Sequence, residues 1–238
     1  MTGRGVYAGF ACILSCAIVL CTVSCGIETV EDSLDPPSLR DLANPLDPGG
    51  RYFSFYTRET GNNGTAAFKG TDVFYKIYNN VNELNAEHDS IKTSNAEYSA
   101  NGYNRMVSLN YRQLPIPGYP SILFSATGSN REVSIRLIDE GLNAQGAYDF
   151  PAGVVSGSNM GKPIRRPSSE GFNFYIDSNP DNCDKLPAAG DWDTRFSNVP
   201  EADTWYVNAY AVSVGQNTKL ALLYSQLLWL GYIQIKKP

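Results

Sequence analysis

Apolar and polar residues alternate along four separate stretches of this chain, and that period of two is the strongest constraint on its fold. Val73, Tyr75 and Ile77 alternate with Asp72, Phe74, Lys76 and Tyr78. Val107, Leu109 and Tyr111 alternate with Ser108, Asn110 and Arg112, and Val133, Ile135 and Leu137 with Glu132, Ser134 and Arg136. Phe172, Phe174 and Ile176 alternate with Asn173, Tyr175 and Asp177. Successive side chains of a strand point to opposite faces, so the pattern predicts antiparallel strands with one face in a core and one in water. Gly, Asn, Asp and Pro punctuate these runs from Tyr52 onward, as turns require. The expected fold is all-β, mainly antiparallel: a large β-sandwich. Asn79–Asn95 is the exception, because Val81, Leu84, His88 and Ile91 fall near helical spacing and predict a short helix in a long insertion. Leu220–Ile235 is apolar on both faces, so periodicity leaves helix and strand open there. A buried final strand is expected from about Leu227.

Two stretches carry a family resemblance. Trp205-Tyr-Val-Asn-Ala-Tyr-Ala-Val212, with the turn around Gly215-Gln216-Asn217, resembles the penultimate strand and final hairpin loop of fibronectin type III domains. Gly70-Thr-Asp-Val-Phe-Tyr-Lys-Ile-Tyr78 is similar to their third strand. The resemblance implies an immunoglobulin-like sandwich of two antiparallel sheets. It covers about a tenth of the chain. Trp205 stands where that family has its corner tyrosine.

The amino terminus reads as an export signal. Arg4 is followed by an uncharged, mostly apolar run over Val6–Val23, and Thr22-Val23-Ser24-Cys25 closes it with a small residue before a cysteine. This ending resembles the lipobox of bacterial lipoproteins. Thr22 replaces the usual leucine, a change that the relaxed boxes of spirochaetal lipoproteins tolerate. The resemblance implies cleavage before Cys25, a diacylglycerol thioether on its sulfur and acylation of the new amine by a fatty acid such as palmitate. Ile13-Leu14-Ser15-Cys16 is a rival box, and an uncleaved spanning helix or an ordinary cleaved signal are the other readings. Residues 1–24 are thus expected to be a lipoprotein signal peptide, residues 25–50 an acylated cysteine with a Pro/Gly tether, and residues 51–238 the sandwich domain. Asp35-Pro36-Pro37, Asn44-Pro45 and Asp47-Pro48-Gly49-Gly50 discourage helix, and as a coil this tether would reach roughly 25–30 Å.

Charge and cysteine usage narrow the partners. Without residues 1–24, Lys+Arg falls from 19 to 18 against Asp+Glu 24, a net charge of −6. An acidic chain with scattered cations does not suit nucleic acid, nor does it adhere to anionic lipid by electrostatics. The expected hold on the membrane is therefore the acyl group. Of the five cysteines, at 12, 16, 21, 25 and 183, only Cys183 lies beyond the export segment. With Cys25 acylated, no disulfide framework is available, and Cys183 is expected to be a slowly reactive free thiol among Asp181, Asn182 and Asp184.

Residues suited to chemistry are few. His88 is the sole histidine, and nucleophile elbows and Gly-rich phosphate loops are absent from the sequence. Asp177-Ser-Asn179-Pro-Asp181-Asn-Cys-Asp184, with Asp191 and Asp193 beyond it, resembles the first half of a calcium loop. Asn182 and Ala188 occupy its glycine and closing-glutamate places, so a polar inter-strand loop is the expected reading and no metal or other cofactor is expected. Trp192, between two aspartates, and Tyr119, in the stiff loop Leu114-Pro-Ile-Pro-Gly-Tyr119-Pro120, are candidate anchors for a sugar ring or protein partner. Arg165-Arg166 reads as a solvated edge. The expectation is a non-catalytic lipoprotein of the cell envelope, anchored at the outer membrane, which presents a sandwich for macromolecular binding or builds the envelope. The alternative is a carbohydrate-binding module using Trp192 and Tyr119. A third reading is a histidine-independent enzyme resembling a glycoside hydrolase, with carboxylates from Asp177, Asp181 and Asp184.

Overall fold

The computed structural model describes residues 33–45, 50–63, 68–96, 99–115, 123–124, 128–165, 174 and 187–236. All of them belong to the unit Asp32–Pro238. In chain order the elements are β1 (Ser38–Asp41), β2 (Phe53–Tyr56), α1 (Glu59–Asn62), β3 (Gly70–Tyr78), α2 (Val81–Asn95) and α3 (Ser99–Ser108). Then come β4 (Arg112–Gln113), β5 (Leu123–Phe124), β6 (Glu132–Ile135), β7 (Glu140–Leu142), β8 (Tyr148–Phe150), β9 (Val154–Val155) and β10 (Ser158–Asn159). The last are β11 (Thr194–Arg195), β12 (Thr204–Gln216), β13 (Leu222–Tyr224) and β14 (Leu228–Lys236). The fold is a mainly antiparallel all-β sandwich with a helical insertion.

One sheet has the order β1-β2-β6-β9-β10. The other is built on the long antiparallel pair β3 and β12, in register from Tyr206 opposite Tyr78 to Val214 opposite Gly70. Further strands then complete both outer edges of this pair. β13 and β14 follow one another along β12, while β5, β4 and β11 follow one another along β3. Alternate residues explain the first core. Val73, Tyr75 and Ile77 of β3 and Val207, Ala209 and Ala211 of β12 meet Phe53, Phe55, Val133 and Ile135 of the facing sheet. Phe174, the described residue of the Phe172–Ile176 run, joins this core against Tyr75.

The opposite face of β3 is not in water. Phe74 and Tyr78, with Tyr206, Tyr210 and Val212 of β12, pack under Leu84 and Ile91 of α2 and Met106 of α3. The expected wet face is therefore a second core, and β12 is buried at nearly every position. The expected helix exists and is long enough to form this layer. Asn80 caps it, its side-chain oxygen accepting from the Asn82 amide at 2.9 Å and the Glu83 amide at 3.3 Å. Leu84, His88 and Ile91 then recur along its inner face.

Two further expectations are corrected. Val107, Leu109 and Tyr111 are not a strand. Ser99–Ser108 is helical, because Tyr103 and Met106 repeat at helical spacing, Met106 is fully buried, and Tyr103 stacks on Tyr224. The helix ends where Asn110 adopts a left-handed φ of 65°. Nor do residues 25–50 form a tether throughout. Leu34 and Ala43 are buried, and Ser38–Asp41 pairs with β2. Ala43 also donates its amide to the Leu230 carbonyl of β14 at 3.3 Å. It fits beside Gly231, whose φ of 89° lies at an irregularity in the β12–β14 pairing. A Cβ at Gly231 would stand 3.2 Å from Ala43. Leu220–Leu227 takes neither open form entirely: β13 covers three residues, and the final strand starts at Leu228.

Candidate functional site

Along β3 the edge partner changes at Lys76. Phe74 and Tyr75 pair with antiparallel β4, whereas Ile77 and Tyr78 pair with parallel β11. At this junction a cleft of about 210 Å³ opens, lined by Lys76, Asn110, Arg112, Asp191, Trp192, Thr194 and Arg195. Trp192 is 41% exposed, so the loop tryptophan singled out from sequence does reach solvent. The Arg112 guanidinium lies 4.5 Å from its ring centre, within cation–π range.

The floor is held by a buried ion cluster. Arg165 is buried rather than on a solvated edge. It donates from Nε to Asp193 Oδ2 at 2.9 Å, and from Nη2 to Asp193 Oδ1 at 2.6 Å and to Asp191 Oδ2 at 2.8 Å. Tyr75 adds a hydroxyl donation to Asp193 at 2.8 Å, and the Asp193 carbonyl accepts from the Ile77 amide at 2.8 Å. Burial works against charge on Arg165, but the bonds and fields of Asp193 and Asp191 outweigh it and raise its pKa. Arg166 lies outside the described residues. The Arg165 contacts join positions 26 to 28 residues apart and the Tyr75 contact positions 118 apart, which is why sequence spacing did not signal them.

A second network lies behind the cleft, between sheet and helices. Lys76 Nζ donates to Glu87 Oε2 at 2.7 Å and to the Leu109 carbonyl at 2.6 Å. Tyr78 donates to the same glutamate oxygen at 2.8 Å, and its hydroxyl lies 2.8 Å from that of Tyr111. Asn208 donates to Tyr111 at 2.7 Å and accepts from Trp229 Nε1 at 2.7 Å. Burial lowers the Lys76 pKa despite Glu87, and burial raises that of Tyr78 far above the usual phenol value. His88 sits half-buried, its Nδ1 2.7 Å from the Tyr210 hydroxyl and its ring against Trp229. Burial lowers its pKa.

Chemically the cleft offers an aromatic surface and donors. Of its carboxylate, Asp191, the Oδ2 oxygen already accepts from Arg165 and from the Ala188 amide at 2.9 Å. Arg195 donates from Nε to Glu83 at 2.5 Å, an interaction that lowers the Glu83 pKa. Arg112 was missed from sequence because it looked like the outward residue of a strand. Tyr119, Cys25, Cys183 and the Asp177–Asp184 run lie outside the described residues. Among the described residues, no group of three or more His, Cys, Asp or Glu side chains could hold a metal ion, and no helix is long and apolar enough to cross a membrane. No family model, curated protein or solved structure matches the chain.

Proposed function

We propose that this chain is an exported lipoprotein, acylated on Cys25 and anchored in the cell envelope at the outer membrane, which acts by binding rather than by catalysis. The observation that carries this reading is Thr22-Val23-Ser24-Cys25 at the end of an uncharged run. The first buried residue described, Leu34, follows Cys25 by only nine positions. A sandwich beginning so soon after the acylation site suits presentation close to a membrane surface. We assign it to a divergent fibronectin type III-like, immunoglobulin-like module. In support, the two stretches that resemble that family pair directly with one another as β3 and β12, and β14 runs antiparallel on β12. A non-catalytic role agrees with Asp191 and Asp193 both being bonded to Arg165 and His88 being committed to Tyr210.

Intact-mass spectrometry of protein extracted from membranes tests the anchor. The expected product starts at Cys25 and carries acyl mass, and Cys25→Ser abolishes both the acylation and membrane retention. A product with another start, or without acyl mass, overturns the reading.

Exposure of Trp192 in a cleft favours one specific ligand class, a saccharide stacked on the indole. Binding to a glycan array by the native chain, lost in Trp192→Ala, is the expected result. Equal binding by both proteins overturns that role for Trp192.

A further inference from the structure

We propose that the cleft beside Trp192 selects a carboxylate-bearing saccharide, with Arg112 as the residue that distinguishes the acid from the neutral sugar. This rests on the saccharide reading of the same cleft. Each carboxylate in or just behind the cleft already has a cation: Asp191 and Asp193 have Arg165, Glu83 has Arg195, and Glu87 has Lys76. Arg112 differs. It has no carboxylate partner among the described residues, and its buried Nε has no hydrogen-bond partner. Its guanidinium is instead held against Trp192. Guanidinium carries donors only, and a fixed fork of them matches a carboxylate.

A neutral sugar presents hydroxyls that need acceptors as well as donors. The charge of Asp191 is already balanced by Arg165, whereas Arg112 has no carboxylate among the described residues, so a ligand that brings its own acceptor pair gains most. Size points the same way. At about 210 Å³ the cleft is smaller than sites for drug-sized ligands, which run roughly 300–1,000 Å³, so it suits a single ring. The chain is acidic overall, with a net charge of −5, so general attraction for polyanions does not account for acid preference; that preference must be local.

Calorimetry on the full chain in detergent tests the proposal with glucuronic and galacturonic acids, glucose, galactose and acetate as probes. The expected result is binding of at least one hexuronic acid about tenfold or more tightly than its neutral counterpart. Arg112→Gln removes that difference, Arg112→Lys restores part of it, and Trp192→Ala weakens every sugar. Thermal unfolding of each variant confirms that it is folded, and Arg112→Lys serves if the glutamine variant is not. Equal binding of acid and neutral sugar, sensitive to Trp192→Ala, overturns the acid selection and leaves the saccharide reading standing. Acetate bound as tightly as the uronic acids overturns both, as does an absence of binding to every probe.

Discussion

Asp193 is the residue on which the candidate site most depends. It is fully buried, and Arg165, itself buried, grips both of its oxygens. Removing one member of a buried pair leaves the other charge without compensation, which typically costs about 3–5 kcal/mol. Asp193→Ala is therefore expected to lose stability of that order in equilibrium urea unfolding, while a loss below about 1 kcal/mol would show that Arg165 finds another partner. Residue-level signals in the sequence divide along this line. Trp192 was legible, since a tryptophan between aspartates after Ala188-Ala189-Gly190 reads as a loop residue. Arg112 and Arg165 were not, because their neighbours Asp191, Trp192 and Asp193 come from the turn before β11, distant in sequence.

Among elements, α2 shows what local sequence can specify. Asn80 satisfies two amides of the first turn and also donates from Nδ2 to the Val199 carbonyl at 2.7 Å. Asn80→Ala is expected to cost about 1–2 kcal/mol, read as a lowered unfolding midpoint at unchanged cooperativity. Asn80→Asp, which keeps the cap and loses the link to Val199, should recover part of this. The helix was visible beforehand because Val81, Leu84, His88 and Ile91 fall near helical spacing. Its neighbour α3 was not: Val107, Leu109 and Tyr111 satisfy a period of two, while Tyr103, Met106 and Leu109 satisfy a period of three. Packing of Tyr103 on Tyr224 and burial of Met106 favour the helical alternative. For the same reason the outward residues of β3 misled, since alternation cannot tell whether water or a helix covers the second face.

At the scale of the whole molecule, the two-core arrangement buries phenols between sheet and helices. Burial raises the pKa of Tyr78 and Tyr210 far above the usual value, and burial also raises that of Tyr111 despite its hydrogen bonds. The unfolded chain ionises these groups near pH 10, whereas the folded one keeps their protons. Their contribution to stability is thus complete below about pH 10 and is lost as pH climbs toward the folded values. Lys76, whose pKa burial lowers, acts in the opposite sense over the interval below 10.5, but as one group against three. The part of the phenolate absorbance due to these three should therefore rise in one cooperative step that coincides with loss of the near-ultraviolet dichroism; their independent ionisation in a folded chain would contradict this. The segment Leu34–Ala43 has a consequence of another kind. It enters as the edge of one sheet through β1 and immediately hydrogen-bonds the other through Ala43 and Leu230. A pull transmitted along the chain from the amino-terminal side is thus shared between both sheets at once, and the sandwich is loaded as a clasp instead of being peeled one strand at a time.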